Sequence, residues 1–184
     1  MSGIQTAGAP GYDAVAKLLH WLIVALLVAQ FLIAWTMPDI RRGTKPEGLI
    51  SLHLSVGLLI LFIVVIKTLW QLSHPVPLLD DGQPDWQHRA AKATHGLLYV
   101  LLFLLPLMGW ANASSRGWVM HFFSLFTLPA LMSSGSAFGH ELGDIHILTS
   151  YALLALIGLH VLAALYHQFW LRDGILARML PGRD

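Results

Sequence analysis

Residues 145–171 read IHILTSYALLALIGLHVLAALYHQFWL, and this stretch alone indicates a membrane protein. It contains no Asp, Glu, Lys or Arg, and it exceeds the roughly 20 mostly apolar residues that a membrane-spanning helix needs. It also contains three histidines, His146, His160 and His167. Because an ionisable group inside a membrane helix costs free energy, these histidines are candidates for function.

Three further stretches, 18–37, 49–66 and 93–115, are also free of charged residues. We expect the second to continue past Lys67 to Leu72, with the lysine ammonium reaching the interface. The sequence therefore predicts an all-α integral membrane protein, a four-transmembrane-helix bundle, in a single membrane domain covering residues 1–184. The predicted helices span about 14–37, 47–72, 86–115 and 143–171.

The composition agrees with a membrane protein. Only 11% of the 184 residues are charged, against about 25% in a soluble domain. The net charge of +1 predicts no nucleic-acid partner. The chain has no cysteine, which excludes disulfides, iron–sulfur clusters and thioether-attached haem, and its ten histidines are the plentiful metal-binding side chains.

Residues 117–140 form one more uncharged stretch, but it does not read as a fifth span. Pro129 interrupts its apolar part, and Ser133-Ser134-Gly135-Ser136 follows, which a lipid-facing helix does not favour. We predict a loop over 116–142 with an amphipathic segment on the membrane surface.

The distribution of Lys and Arg near the span ends predicts the orientation. With four spans, one side has seven such residues: Lys17, Lys67, Arg89, Lys92, Arg172, Arg178 and Arg183. The other side has four: Arg41, Arg42, Lys45 and Arg116. Because cytoplasmic loops carry the excess of basic residues, we expect both termini in the cytoplasm.

Depth in the membrane sorts the intramembrane histidines into two groups. In this orientation the outer half contains His53 and His146. The inner half contains His20, His95, His160 and His167. Two imidazoles from facing helices at one depth are what a six-coordinate haem iron requires, so the sequence predicts one haem in each half of the bundle core.

The spacing on the fourth helix supports this hypothesis. His146 and His160 are 14 residues apart, which returns to nearly the same helix face and separates them by about 21 Å along the axis. Two haems stacked across a bilayer core of about 30 Å fit this separation. His167 lies seven residues further on the same face, so geometry does not exclude it as the inner ligand.

Several motifs resemble those of one family. They are KLLHW at 17–21, HLSVG at 53–57, HGLLY at 95–99, LPLMG at 105–109, GLH at 158–160, ALYH at 164–167 and RDGILARMLP at 172–181. From about Tyr12 to Pro181 the chain resembles the bacterial cytochrome b561 family, which also includes the haem-bearing cytochrome subunits of hydrogenases. That family usually has arginines late in the second helix, where this chain has Lys67 and Gln71.

The resemblance implies two non-covalent haems b in a four-helix bundle of the bacterial cytoplasmic membrane. It assigns His20 and His160 to the inner haem, and His53 and His146 to the outer one. His95 and His167 remain as alternative inner ligands, or as contacts of a quinone or of a haem propionate.

The function implied by the resemblance is electron transfer between the outer face and the quinone pool. Small members of the family resemble superoxide oxidases, oxidoreductases that pass electrons from superoxide to ubiquinone. We expect Arg41, Arg42 and Lys45 to steer superoxide toward the outer haem, unless they are ordinary solvated charges.

The expected partners are therefore lipid, quinone, and either superoxide or an electron-donor protein. One alternative is a cytochrome b subunit that docks a hydrogenase or a dehydrogenase. Another alternative is a histidine-lined proton or metal-ion transporter. The spans carry no Asp or Glu beside the histidines, which argues against a transporter.

Overall fold

The computed structural model describes residues 13–75 and 84–180. The connection between the second and third helices at 76–83 lies outside the described residues, as do 1–12 and 181–184. The helices are α1 (Ala14–Thr36), α2 (Leu49–Ser73), α3 (Asp85–Ser115) and α4 (Ala137–Tyr166). A short hairpin, β1 (His121–Phe122) and β2 (Phe126–Thr127), lies between α3 and α4. A π-helical turn (His167–Leu171) and a 3₁₀ turn (Leu176–Met179) follow α4.

The prediction of an all-α membrane bundle is confirmed. Across residues 13–75 and 84–180, four helices are long and apolar enough to cross a membrane, and the mean hydropathy of their best windows runs from 1.7 to 2.8. Large apolar side chains point outward all around the bundle; Leu18, Phe62 and Leu159 are each more than half exposed. In a bilayer these side chains contact lipid, so their exposure carries no penalty.

The helices run up and down, so the bundle has two ends. We call the end with the α1–α2 and α3–α4 connections the loop face, and the end with residues 13 and 172–180 the terminal face. Neighbours in sequence pack against each other: α1 on α2, α2 on α3 and α3 on α4. In the described chain, α4 makes almost no close backbone approach to α1 or to α2. Those two helix pairs are therefore bridged by side chains rather than by backbone contact.

The apolar core follows from the same packing. It consists of Leu19, Ile23, Val56, Ile60, Ile63, Val64, Leu102, Leu105 and Leu153. Helix α2 contributes four of these nine side chains, more than any other helix, because it is flanked by two helices and is the most buried span.

At the loop face, α3 and α4 approach closely because α4 has glycines there. A Cβ at Gly139 would lie 2.5 Å from the Cβ of Ser115, and one at Gly143 would lie 2.4 Å from Nδ2 of Asn112. Asn112 Nδ2 also donates to the Gly139 carbonyl at 3.0 Å. Small residues thus let the two backbones meet, as is common between membrane helices.

Helix α4 begins at Ala137, six residues before the expected position of about 143. The reason is a local cap: Ser136 precedes the helix, and its side chain accepts a hydrogen bond from Gly139 N at 3.2 Å. The additional turns pack on α3 through the glycines instead of contacting lipid, so hydropathy alone did not indicate them.

The loop at 116–136 contains a hairpin where we expected an amphipathic surface segment. Ser55 on α2 anchors it: its hydroxyl donates to the His121 carbonyl and accepts from Phe123 N, both at 3.1 Å. Trp118 Nε1 donates to the Thr44 carbonyl at 3.1 Å, which joins this loop to the α1–α2 connection. The hairpin therefore packs over the loop-face ends of α2 and α3.

At the terminal face, Asp13 joins α1 to α2. Its carboxylate caps α1 by accepting from Ala16 N at 2.8 Å, and it also accepts from Trp70 Nε1 at 3.1 Å. These two donors, the Ala16 amide first and the indole second, lower the pKa of Asp13 below its ordinary value of 3.8.

Candidate functional site

Toward the loop face, His53 of α2 and His146 of α4 face each other. Their ring centres are 6.2 Å apart and their planes are inclined by 76°. An imidazole–iron–imidazole unit places the two ring centres about 6 Å apart, because each metal–nitrogen bond is about 2 Å long. The two predicted outer ligands are thus brought to the separation that axial ligation requires.

The hydrogen bond of His146 favours the tautomer that binds metal. Its Nδ1 lies 2.9 Å from the Leu105 carbonyl of α3, an acceptor only, so Nδ1 carries the proton. Nε2 then keeps its lone pair for a metal ion. Metal-ligating histidines are commonly held in this way by a carbonyl on the far nitrogen.

A small cavity lies between these rings. Its lining is Gln30, His53, Leu54, Gly57, Leu58, Pro106, Gly109, Trp110, Met120 and His146. Two glycines leave the walls open: a Cβ at Gly109 would lie 3.4 Å from His146 Cε1, and one at Gly57 would lie 3.2 Å from Gln30 Nε2. Two imidazoles, apolar walls and flat glycine surfaces are the features that fit a haem.

Gln30 is a residue of this site that the sequence reasoning missed. Its Nε2 donates to the His53 carbonyl at 3.0 Å and lies 3.4 Å from His53 Nε2. The available signal was a polar side chain inside an otherwise apolar span. Nothing in the sequence indicated that it faces His53 rather than lipid.

Toward the terminal face, His95 of α3 and His160 of α4 are in ring contact. Their centres are 5.1 Å apart, with the planes inclined by 66°. His20 of α1 lies within electrostatic range of both, and we call these three residues the inner histidine cluster. Within the part of the chain that is described, no group of three or more His, Asp or Glu is arranged to hold a bare metal ion.

A buried lysine adjoins the inner histidine cluster. Lys67 of α2 is 9% exposed, and its ammonium lies 6.0 Å from the centre of the Tyr99 ring. The Tyr99 hydroxyl donates to Oε1 of Gln71 at 2.6 Å. Lys67 and Gln71 lie late in α2, at the positions where the sequence departs from the family pattern, and Tyr99 reaches them from α3.

His167 lies apart from the inner histidine cluster, in the π-helical turn. Its Nδ1 is 2.5 Å from Oδ2 of Asp173, and Asp173 Oδ1 accepts from Ile175 N at 3.1 Å. The turn ends at Arg172 in a left-handed conformation, with φ of 54°. Trp21 Nε1 donates to the Met179 carbonyl at 2.8 Å, which brings the segment after α4 back against α1.

At the loop face, the three predicted steering cations have different surroundings. Arg41 pairs with Asp39 at 3.0 Å, and both side chains are about 80% exposed. Arg42 and Lys45 are also exposed. Lys45 lines an open cavity of about 420 Å³, together with Thr44, Pro46, Glu47, Ser51, Leu54, Gly117, Trp118, Val119, Met120 and His121.

This loop-face cavity adjoins the cavity between His53 and His146. Leu54 and Met120 line both of them.

Comparison with known proteins shows which family the chain belongs to. A family model described as prokaryotic cytochrome b561 matches residues 11–182. The chain belongs to this family. The resemblance inferred from the motifs is confirmed.

Individual curated proteins are similar to this chain over almost their whole length. "Cytochrome b561 homolog 2" of Escherichia coli (strain K12) is 28% identical over 174 residues, which are 92% of this chain and 90% of the relative. "Probable superoxide oxidase CybB" of Yersinia pestis is 30% identical over 167 residues, 89% and 92% of the two chains. "Cytochrome b562" of Cereibacter sphaeroides is 27% identical over 180 residues, 95% and 98% of the two chains.

Family membership gives the coarse function. This chain is a multi-pass bacterial membrane cytochrome that binds haem b and transfers electrons. The two histidine groups lie within the spans and offer imidazole nitrogens, a side-chain chemistry that can ligate iron.

Proposed function

We propose that this cytochrome binds two haems b and transfers electrons from superoxide, at the loop face, to ubiquinone in the membrane. Haem b supplies a one-electron iron couple when bound. The observation that carries the proposal is the 6.2 Å separation of the His53 and His146 rings, beside an open cavity at the loop face.

His53 and His146 are the proposed ligands of the outer haem. Besides the ring separation, the scarcity of close backbone contact between α2 and α4 in the described chain supports this assignment. A flat cofactor needs such a gap between the helices that ligate it.

His20 and His160 are the proposed ligands of the inner haem. They lie on α1 and α4, another pair of helices that are not in close backbone contact in the described chain. His95 and His160, by contrast, are on closely packed helices, and their 5.1 Å separation is shorter than the about 6 Å that an intervening iron requires. His95 and His167 are then left to contact a haem propionate or the quinone.

Lys67 supplies positive charge beside the inner haem. A buried cation in a membrane span requires an anionic or strongly polar partner. A propionate carboxylate or a quinone carbonyl oxygen meets that need, in the region where other family members usually have arginine.

The orientation in the proposal follows the basic residues. Among the described residues, the terminal face has six Lys and Arg near the span ends and the loop face has four, so the proposal takes the terminal face as cytoplasmic. Superoxide would then be met outside the cell membrane, and the protons for quinone reduction would come from the cytoplasmic side.

The reaction balances without a further reactant. Each superoxide gives up one electron and leaves as dioxygen. Two such electrons and two protons convert the quinone to the quinol. The relative named as a probable superoxide oxidase, which is 30% identical, supports superoxide as the donor.

Two measurements on the purified protein test the proposal. A pyridine haemochrome assay should give two haems b per chain, and one or none would contradict it. A superoxide source should reduce the haem, and added ubiquinone should reoxidise it. His167→Ala should keep both haems, because His167 is engaged with Asp173 and is not a ligand in this proposal.

A second candidate is a subunit that passes electrons between the membrane and a docked hydrogenase or dehydrogenase. The exposed apolar tip of the hairpin favours it, since Leu125 is 76% and Phe126 56% exposed. Two results together would support this candidate instead. Superoxide would fail to reduce the haem, and the protein would purify in a fixed ratio with such an enzyme.

A further inference from the structure

Gln30 has polar groups that its interhelical contact does not satisfy. Its Nε2 links α1 to α2 by donating to the His53 carbonyl. Its Oε1, however, is buried and has no hydrogen-bond partner among the described residues. A role as a link between helices would explain the hydrogen bond of the amide nitrogen. It would not explain why the amide oxygen is buried without a partner, which costs free energy.

His53 has a ring nitrogen that also lacks a hydrogen-bond partner among the described residues. This nitrogen, Nδ1, is buried. Iron on Nε2 requires the proton on Nδ1, and metal-ligating histidines almost always donate that proton to an oxygen. His146 does so through the Leu105 carbonyl. His53 lacks such an acceptor.

We propose that Gln30 Oε1 accepts the hydrogen bond from Nδ1–H of His53 when the outer haem is bound. Gln30 is then a positioning residue for the second axial ligand, the counterpart of the Leu105 carbonyl for His146. This inference rests on the outer haem of the proposed function.

The local structure allows the two groups to pair. Gln30 and His53 line one cavity, where the Gln30 amide nitrogen lies 3.4 Å from Nε2 of the His53 ring, so the amide and the imidazole are neighbours although Oε1 and Nδ1 do not yet face each other. Gly57, one turn after His53 on α2, leaves space where a Cβ would come within 3.2 Å of the Gln30 amide. Rotations of the amide and of the imidazole about their own side-chain bonds are the movements needed.

The hydrogen bond has a definite effect on the bound iron. An acceptor on Nδ1–H makes the imidazole a more basic ligand. A more basic ligand stabilises ferric over ferrous iron, so Gln30 lowers the potential of the outer haem. A residue of α1, which provides no ligand to that haem, thus tunes the site at which electrons enter.

Two substitutions at this position separate the acceptor from the interhelical link. Gln30→Leu removes both, whereas Gln30→Glu retains an acceptor oxygen, ionised or not, and loses the Nε2 donor. Redox titration of the detergent-solubilised holoprotein should show a higher outer-haem potential in Gln30→Leu. The expected size is about a tenfold change in the reduction equilibrium, or about 59 mV for one electron. In Gln30→Glu the potential should stay at or below that of the wild type.

The inner haem and a matched variant serve as controls. Thr68 is a polar residue of α2 whose hydroxyl donates to the Val64 carbonyl of its own helix. Thr68→Val should leave both potentials unchanged, and the inner-haem potential should be unchanged in all variants. If Gln30→Leu does not assemble, Gln30→Met provides the same comparison with a side chain of similar length.

The outcomes distinguish this inference from the proposed function. A wild-type protein without an outer haem would overturn the proposed function. An outer haem that is present, with the same potential in Gln30→Leu as in the wild type, would overturn the role of Gln30 alone. A shift of the same sign and size in Gln30→Leu and Gln30→Glu would assign the effect to the Nε2 link and also overturn it.

Discussion

Changing Arg41, Arg42 and Lys45 together to glutamine should slow the reduction of the haem by superoxide at low salt. The α1–α2 connection contains these three cations and two carboxylates, Asp39 and Glu47, so its net charge is +1. The triple variant has a net charge of −2 there. Because Lys45 lines the loop-face cavity, the change lies where a small anion would approach the outer histidine pair.

The size of the effect follows from Coulomb's law. In water at about 10 Å, one unit charge contributes about 0.7 RT to the energy of an approaching anion, so three contribute about 2 RT. Debye lengths of about 30, 10 and 3 Å apply at 0.01, 0.1 and 1 M salt. The rate should therefore fall roughly fourfold at 0.01 M, about twofold at 0.1 M, and negligibly at 1 M.

Stopped-flow measurement of haem reduction under a steady superoxide source would test this. Arg89→Gln with Lys92→Gln is a matched control, because both side chains are exposed at the terminal face. The control should have the wild-type rate at every salt concentration. A rate that does not respond to the loop substitutions or to salt would refute steering by these residues.

Further predictions concern the ligands and the cap of α1. His53→Ala and His146→Ala should each lose the same haem, leaving identical absorption spectra; different residual spectra would refute the pairing. His20→Ala and His160→Ala should lose the other haem, and full haem content in His160→Ala would move the ligand role to another histidine. Asp13→Ala should cost about 1 kcal/mol of stability at pH 7, as loss of an N-cap does. Because the folded pKa of Asp13 is lowered, its carboxylate stabilises the fold above pH about 4 and less below it, so the difference in melting temperature should shrink at pH 3.

The spans could be predicted from the sequence because lipid imposes one simple rule. A helix that faces lipid must be apolar for about 20 residues, and the four stretches meet that rule. The first turns of α4 do not face lipid. They pack on α3 through Gly139 and Gly143, so only the Ser136 cap indicates where the helix begins.

For the candidate site, the sequence predicted how deep each histidine lies in the membrane but not which neighbouring helix its side chain faces. Depth follows from the position of a residue along a span, and it separated His53 and His146 from the inner group. Which helix face each side chain occupies depends on packing with other helices, and the 5.1 Å contact of His95 with His160 follows from such packing. The same limit hid Gln30, because a polar residue in a span does not indicate which neighbour it contacts. Local pairs such as Arg41 with Asp39 depend on loop conformation, which apolar periodicity does not describe.

The roles of α3 and α4 differ, and the difference explains how one small bundle could hold two haems. Helix α4 packs closely on α3 at the loop face, where glycines remove the side chains between them. In the described chain it has no comparable backbone contact with α1 or α2. Each proposed pair of ligands joins two helices that lack close backbone contact. His20 and His160 join α1 and α4 toward the terminal face, and His53 and His146 join α2 and α4 toward the loop face. Helix α3 then serves as the support that fixes α4, and it contributes the Leu105 carbonyl that orients His146. In the proposed arrangement α3 provides no iron ligand, so its close contact with α4, which positions His146 and His160, is retained.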